Sequence, residues 1–171
     1  MGDQKGVSFV SMLEVKVDGL ALDMTTNSPV VILKPTNMEK VLPIWIGHSE
    51  AWAIAMELSG IGSKRPMTHD LLKVIIATLD AQVDKVEITE LKEQTFYARV
   101  VLHSDSKVFA IDARPSDSIA LALKVGAPIY ADEELFNLKD LDQPTEFGND
   151  PESLADRLKK INPEDFGKYS L

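Results

Sequence analysis

The chain of 171 residues contains no cysteine, so neither disulfide bonds nor thiolate chemistry contributes to its fold or function. No stretch approaches the ~18 consecutive apolar residues that a membrane-spanning helix needs. The first six residues, Met1 to Gly6, lack the apolar core of a secretion signal. Together these absences predict a cytoplasmic protein with no membrane partner.

Positive charge is also scarce, because 18 Lys and Arg stand against 27 Asp and Glu, which gives a formal net charge of −9. Proteins that bind nucleic acid normally do so through a basic surface, since neutralised phosphates supply much of the affinity. If this chain acts on nucleic acid, it must therefore concentrate its basic residues locally or use metal ions.

The hydrophobic pattern predicts seven strands and three helices. Residues 11–22 alternate between apolar and polar, as a strand with one wet face does. The other predicted strands are 30–33, 41–46, 84–91, 95–103, 107–112 and 128–130, and the predicted helices are 49–58, 68–79 and 116–125. Strands, two helices, more strands and a helix in this order favour an α+β fold and not a doubly wound parallel sheet.

We therefore predict an α+β domain over residues 1–139, with a mixed, mainly antiparallel sheet and two to three packed helices. Residues 140–171 read as a polar linker followed by a short amphipathic C-terminal helix, on which Leu154, Leu158 and Ile161 share one face. Such a tail has to cover its apolar stripe, on its own domain or on a neighbouring subunit. We expect a homodimer or a larger homo-oligomer.

Three helix openings resemble one another. Ser49, Thr68 and Ser116 are the predicted N-caps, each followed within two residues by an acidic side chain that suits the helix dipole. An Arg-Pro pair precedes two of them, at Arg65 and Arg114. Capping chemistry alone explains the Ser, Thr and acidic residues, but it does not explain the two Arg-Pro pairs.

Four motifs in order carry a family resemblance. They are Leu42–Gly47 with Glu50 and Ala51, Arg65–Leu72, Phe96–Ala98 and Asp112–Ala122. With them, residues 11–136 resemble the bifunctional nuclease domain family, and the tail segment 162–167 resembles its bacterial members. The resemblance implies a nuclease, a hydrolase of phosphodiester bonds, and its members are described as acting on both RNA and DNA.

A metal-assisted phosphodiesterase needs carboxylates around a divalent cation, and hard oxygen ligands suit Mg²⁺ or Mn²⁺. The candidate metal ligands are Glu50, Asp112 and Asp117. An arginine can hold phosphate oxygens in bidentate fashion, and a histidine can act as acid or base. The candidate catalytic residues are Arg65, His69, Asp70, Asp112, Arg114 and Asp117.

The alternative is a non-catalytic ligand-binding or regulatory oligomeric module. In that case the acidic residues are first-turn helix acids, and Asp112 and Arg114 are structural polar groups. An open, positive cleft beside exposed carboxylates would favour the enzyme. Buried Arg–Asp pairs with no cleft nearby would favour the structural role.

Overall fold

The computed structural model of the chain describes residues 11–138. One seven-stranded sheet dominates this region, with the strands in the order β3-β2-β1-β7-β4-β5-β6. The strands are β1 Met12–Asp23, β2 Ser28–Pro35, β3 Leu42–Trp45, β4 Gln82–Lys92, β5 Thr95–Ser104, β6 Lys107–Ala113 and β7 Ile129–Asp132. Every neighbouring pair is antiparallel except β4 and β7, which are parallel.

Three helices and one short 3-10 helix complete the described chain. The helices are α1 His48–Ser59, α2 Thr68–Thr78 and α3 Pro115–Val125, and the 3-10 helix is Glu133–Asn137. α1 packs against β2 and α3, while α3 packs against β4 and β5. The helices thus lie on one face of the sheet, and the core lies between them and that face.

Alternation along the strands decides which side chains reach this core. On β5, Ala98, Val100 and Leu102 are buried, as the sequence pattern predicts, and the intervening side chains point to the other face. α3 is buried along most of its length, with Ile119 and Ala122 fully enclosed. The α+β class and the mainly antiparallel sheet are confirmed.

The predicted side-chain caps are wrong. α1 follows Gly47, α2 follows Met67 and α3 follows Arg114, and none of these cap residues is a Ser or Thr. Pro115 takes the first helical position of α3, a place that suits its fixed φ and missing N–H, so Ser116 lies inside the helix.

The apolar stripe of α2 is not buried against the described domain. Sequence alone predicts that Leu71, Leu72, Ile75, Ile76 and Leu79 form one face, yet of these only Ile76 packs against the core. The other four are at least 39% exposed. The helix touches the domain through a different stripe, which begins at His69.

Two further predictions concern the C-terminal tail and membrane-spanning helices. The linker and C-terminal helix fall on residues 140–171, outside the described residues. Within residues 11–138, no helix is long and apolar enough to cross a membrane.

Candidate active site

The first turns of all three helices meet at one groove of about 600 Å³. Its walls are His48, Ser49, Glu50, Trp52, Ala53, Met67, Thr68, His69, Arg114 and Asp117. A helix N-terminus carries a partial positive charge of roughly half a proton, because its first N–H groups lack partners in the helix. The fold therefore brings three such ends together with ionisable side chains.

Arg114 is the centre of the charged cluster. Its Nε donates to Asp117 Oδ2 at 2.7 Å, and its Nη2 donates to Glu50 Oε1 at 2.8 Å. The guanidinium thus ties the start of α3 to the start of α1. Hydrogen bonds from Arg114 to Asp117 and then to Glu50 raise the pKa of Arg114 further, so it stays charged. Two-thirds of its side chain nevertheless remains exposed.

His69 completes the cluster from α2. Its Nε2 lies 3.1 Å from Asp117 Oδ1, and the residue is only 9% exposed. Burial raises the pKa of Asp117, but hydrogen bonds from Arg114 and His69 outweigh it and hold that pKa below its ordinary value. Asp117 is therefore ionised at neutral pH and can orient the His69 ring.

Gly47 makes room for this arrangement. Its backbone is extended, with φ −74° and ψ 159°, so any residue could adopt the conformation. A Cβ there would overlap the Glu50 carboxylate, however. The glycine before α1 lets Glu50 fold back toward its own helix start and meet Arg114.

A second groove of about 390 Å³ adjoins the first, and His69 lines both. Here Lys124 Nζ lies 2.6 Å from Asp70 Oδ1 and also pairs with Glu57. Burial lowers the pKa of Lys124, but Asp70 and Glu57 more than offset this and raise it. The hydrogen bond from Lys124, followed by one from the Met67 N–H, lowers the pKa of Asp70.

The predicted site residues therefore separate into groups. Glu50, His69, Arg114 and Asp117 meet in the first groove, and Asp70 lines the second. Arg65 lies exposed in the segment between α1 and α2 and makes no side-chain hydrogen bond or ion pair with the other described residues.

Asp112 lies elsewhere. It is opposite Arg99 in the β5–β6 register, whereas its neighbour Ile111 is opposite the buried Val100. Since neighbouring side chains alternate between faces, Asp112 points to the sheet face away from the helices. There it lines a separate groove with Arg99 and Tyr97.

The arrangement does not fit a metal held by Glu50, Asp112 and Asp117. Asp112 faces another surface, and Arg114 already binds the other two carboxylates. Within residues 11–138 no group of three or more His, Asp or Glu side chains is placed to hold a metal ion. We accordingly derive no catalytic step through a metal.

Sequence reasoning missed Lys124. The signal was present, because Lys124 is the one basic residue of α3 and directly follows the apolar run Ile119–Leu123. A charge retained in such a helix needs partners, and Asp70 and Glu57 provide them.

The fold and the site together define a class of protein. It is a mainly antiparallel α+β domain in which a His–Asp pair and an arginine lie where the helices begin. Residues 31–143 match the bifunctional nuclease domain family. The chain belongs to that family.

Two kinds of known protein are similar to this chain. An uncharacterized protein of Mycobacterium tuberculosis (strain ATCC 25618 / H37Rv) is 40% identical over 164 residues, which cover 91% of this chain and 98% of that protein. Bifunctional nuclease 1 of Oryza sativa subsp. japonica is 22% identical over 116 residues, covering 66% of this chain and 35% of the rice protein.

Proposed function

We propose that the protein is a nuclease that hydrolyses phosphodiester bonds of RNA or DNA in the groove where the three helices begin. The observation that carries the proposal is the meeting of a His–Asp pair and an exposed guanidinium in one groove, in a chain of the bifunctional nuclease domain family. Glu50, His69, Arg114 and Asp117 are the proposed site.

His69 is the proposed acid–base group. When Nε2 carries the proton, this N–H donates to Asp117 and leaves Nδ1 as the basic nitrogen. Nδ1 then takes a proton from a water as the water oxygen attacks phosphorus, and returns a proton to the leaving oxygen as the P–O bond breaks. Asp117 stabilises the imidazolium formed between these two steps.

Arg114 is the proposed phosphate-binding group. A guanidinium has five N–H donors, and the contacts to Asp117 and Glu50 use two of them. The remaining donors belong to a largely exposed side chain and can bind phosphate oxygens. The unpaired N–H groups at the starts of α1 and α3 add further donors for an anion.

The distribution of charge around the grooves supports an anionic ligand. Residues 11–138 contain 12 Lys and Arg against 18 Asp and Glu. The side chains that line the two grooves include four acidic ones and three basic ones, Lys64, Arg114 and Lys124, and Lys73 lies beside Lys124. The grooves are thus close to neutral in a strongly acidic protein, which lowers the repulsion of a phosphate.

The second candidate is a ligand-binding module without catalysis. The observation that favours it is the double engagement of Arg114 by Glu50 and Asp117, which places two negative charges where a phosphate would approach. A small cationic or zwitterionic ligand would meet less repulsion there.

The test uses the purified chain on labelled single- and double-stranded RNA and DNA, with Mg²⁺, with Mn²⁺ and with EDTA. The proposal expects cleavage by the parent, and a loss of about 100-fold in Arg114→Lys, because a lysine cannot hold two carboxylates and a phosphate in one plane. The EDTA arm tests whether cleavage needs Mg²⁺ or Mn²⁺, the cofactors that the sequence analysis expects.

Arg99→Lys is the matched control, since Arg99 is a half-exposed arginine on the other face of the sheet. It should retain parental activity. Equal cleavage by parent and Arg114→Lys would move the site elsewhere or identify a contaminant. No cleavage by the parent on any substrate would favour the ligand-binding candidate.

A further inference from the structure

α2 packs on the domain through a narrow stripe only. His69, Lys73 and Ile76 lie on one face of this helix, and Lys73 Nζ donates to the carbonyl oxygen of Lys124 on α3 at 3.3 Å. The opposite face carries large apolar side chains that are 39–69% exposed: Leu71, Leu72, Val74, Ile75 and Leu79. Soluble proteins rarely leave a contiguous apolar face of this size open unless it binds something.

The β6 edge of the sheet is open in the same way. Phe109 is opposite Leu102, and Ile111 is opposite Val100, so both face the side of the sheet that the helices cover. Leu102 and Val100 are buried, yet Phe109 and Ile111 remain nearly half exposed. In the described chain no strand lies beyond β6, so the outward N–H and C=O groups of this strand have no ladder partner there.

The other edge of the sheet is protected. β3 has only four residues and contains Pro43, which cannot donate to a ladder. β6 has seven residues, no proline and no break in its register with β5, and its two charged residues, Lys107 and Asp112, stand near its ends. Of the two edges, only β6 is built to accept another strand.

We propose that β6 pairs antiparallel with β6 of a second copy of this chain about a twofold axis, and that the open face of α2 is buried in the same dimer. The register centres on Ala110. Each Phe109 then lies opposite Ile111 of the partner subunit, twice by symmetry, on the helix side of a continuous sheet.

The exposed apolar area of α2 and β6 fits a second copy of this chain as the partner. Exposed parts of the five α2 side chains and of Val108, Phe109 and Ile111 amount to on the order of 600–800 Å² at roughly 150–200 Å² per large apolar residue. A stable interface buries about 800 Å² on each partner. Residues 139–171, in which Leu154, Leu158 and Ile161 have helical spacing in the sequence, are the alternative occupant of the α2 face.

Sedimentation across a range of protein concentrations tests the proposal. We expect the parent to sediment as a dimer, and Phe109→Lys and Ile75→Lys to sediment as monomers at concentrations where the parent is dimeric. Met24→Lys is the control, because Met24 is an exposed apolar residue in the β1–β2 turn, away from both elements. It should remain dimeric.

A cross-link tests the register in a protein that keeps its own surface. Because the chain has no cysteine, Ala110→Cys introduces a single thiol, which the axis places opposite its symmetry copy. A short thiol cross-linker should join the two subunits. Lys107→Cys should not cross-link, because its two copies would lie roughly 20 Å apart along the strands.

Several outcomes would overturn the proposal. A monomeric parent at every concentration would do so, and slow hydrogen exchange along α2 in that monomer would assign this face to residues 139–171. A dimer that survives both lysine substitutions would place the interface elsewhere, as would efficient cross-linking of Lys107→Cys with none of Ala110→Cys. None of these outcomes depends on nuclease activity.

Discussion

Two charged clusters lie on opposite faces of the sheet, and they are built in opposite ways. In the groove, one arginine, Arg114, is shared by two carboxylates and stays two-thirds exposed. On the far face, one carboxylate, Glu87, is shared by Lys85 and Arg99 and is 4% exposed. Its neighbours Val86 and Ile88 enter the core, which fixes Glu87 on the side away from the helices.

The difference between the two clusters distinguishes a charge that stabilises the fold, that of Glu87, from a charge that is available to bind a ligand, that of Arg114. Burial raises the pKa of Glu87, but hydrogen bonds from Lys85 and Arg99 outweigh it and hold this pKa below its ordinary value. Both cations serve to keep a buried charge satisfied. Arg114, in contrast, keeps most of its surface toward a groove. The same residue types therefore stabilise the sheet on one face and are available to bind a ligand on the other.

The largest expected effect is on activity, in Asp117→Asn. This change removes the negative charge that orients His69 and steadies its protonated form, and cleavage should fall about 100-fold. Asp112→Asn is the matched variant, since Asp112 precedes the same helix but points to the far face. Its activity should stay within twofold of the parent, measured as kcat/KM on a labelled oligonucleotide.

Both variants must first show parental unfolding curves. Equal activity of parent and Asp117→Asn would remove the His69–Asp117 pair from the mechanism. A loss confined to Asp112→Asn would move the site to the far face and remove the contrast between the clusters.

The contrast between Asp112 and Asp117 also shows how far the sequence alone reaches. Alternation and turn signals are enough to predict the seven strands and three α-helices of the described chain and its mainly antiparallel sheet, but not the 3-10 helix Glu133–Asn137. Sequence alone also predicts the four side chains that meet in the groove, because they stand at helix openings. It groups Asp112 with them because Asp112 stands at a strand-to-helix junction as well. The register of the β5–β6 hairpin, which the pattern of a single strand does not give, shows that this carboxylate faces the other way.

The helix caps and α2 mark where local patterns mislead. A Ser after Arg-Pro looks like a cap, but proline itself favours the first helical position, so the helix begins one residue earlier. The apolar stripe of α2 indicates a buried face, yet periodicity does not say what buries it. A surface that meets another molecule carries the same pattern as one that meets its own core.

A smaller effect, on stability, should appear in the far cluster. Glu87→Gln leaves Lys85 and Arg99 without their shared carboxylate, and because both are partly exposed they can regain water. We expect the free energy of unfolding at neutral pH to fall by about 1–3 kcal/mol, measured by urea denaturation. Glu50→Gln, in the exposed cluster, should cost less than about 1 kcal/mol.

The same variant should change the response to acid. The folded-state pKa of Glu87 lies below its unfolded value, so its contribution is fully present above about pH 4.3 and is lost as the pH falls through the folded pKa. Glu87→Gln should therefore lose less stability than the parent between neutral pH and pH 2. An unchanged acid dependence would show that Glu87 is not held as an ionised group.

The smallest effect should come from Gly47→Ala. The backbone at Gly47 suits alanine, so stability should change by less than about 1 kcal/mol. The added methyl group would displace the Glu50 carboxylate and release one of the two contacts that aim Arg114. We expect a loss of about two- to fivefold in kcat/KM, since misplacement of a binding group weakens catalysis without removing it. Gly62→Ala is the control, because no atom lies within 4 Å of its added Cβ. If both alanine variants kept parental activity, Glu50 would be dispensable for aiming Arg114, and the groove cluster would depend on Asp117 and His69 alone.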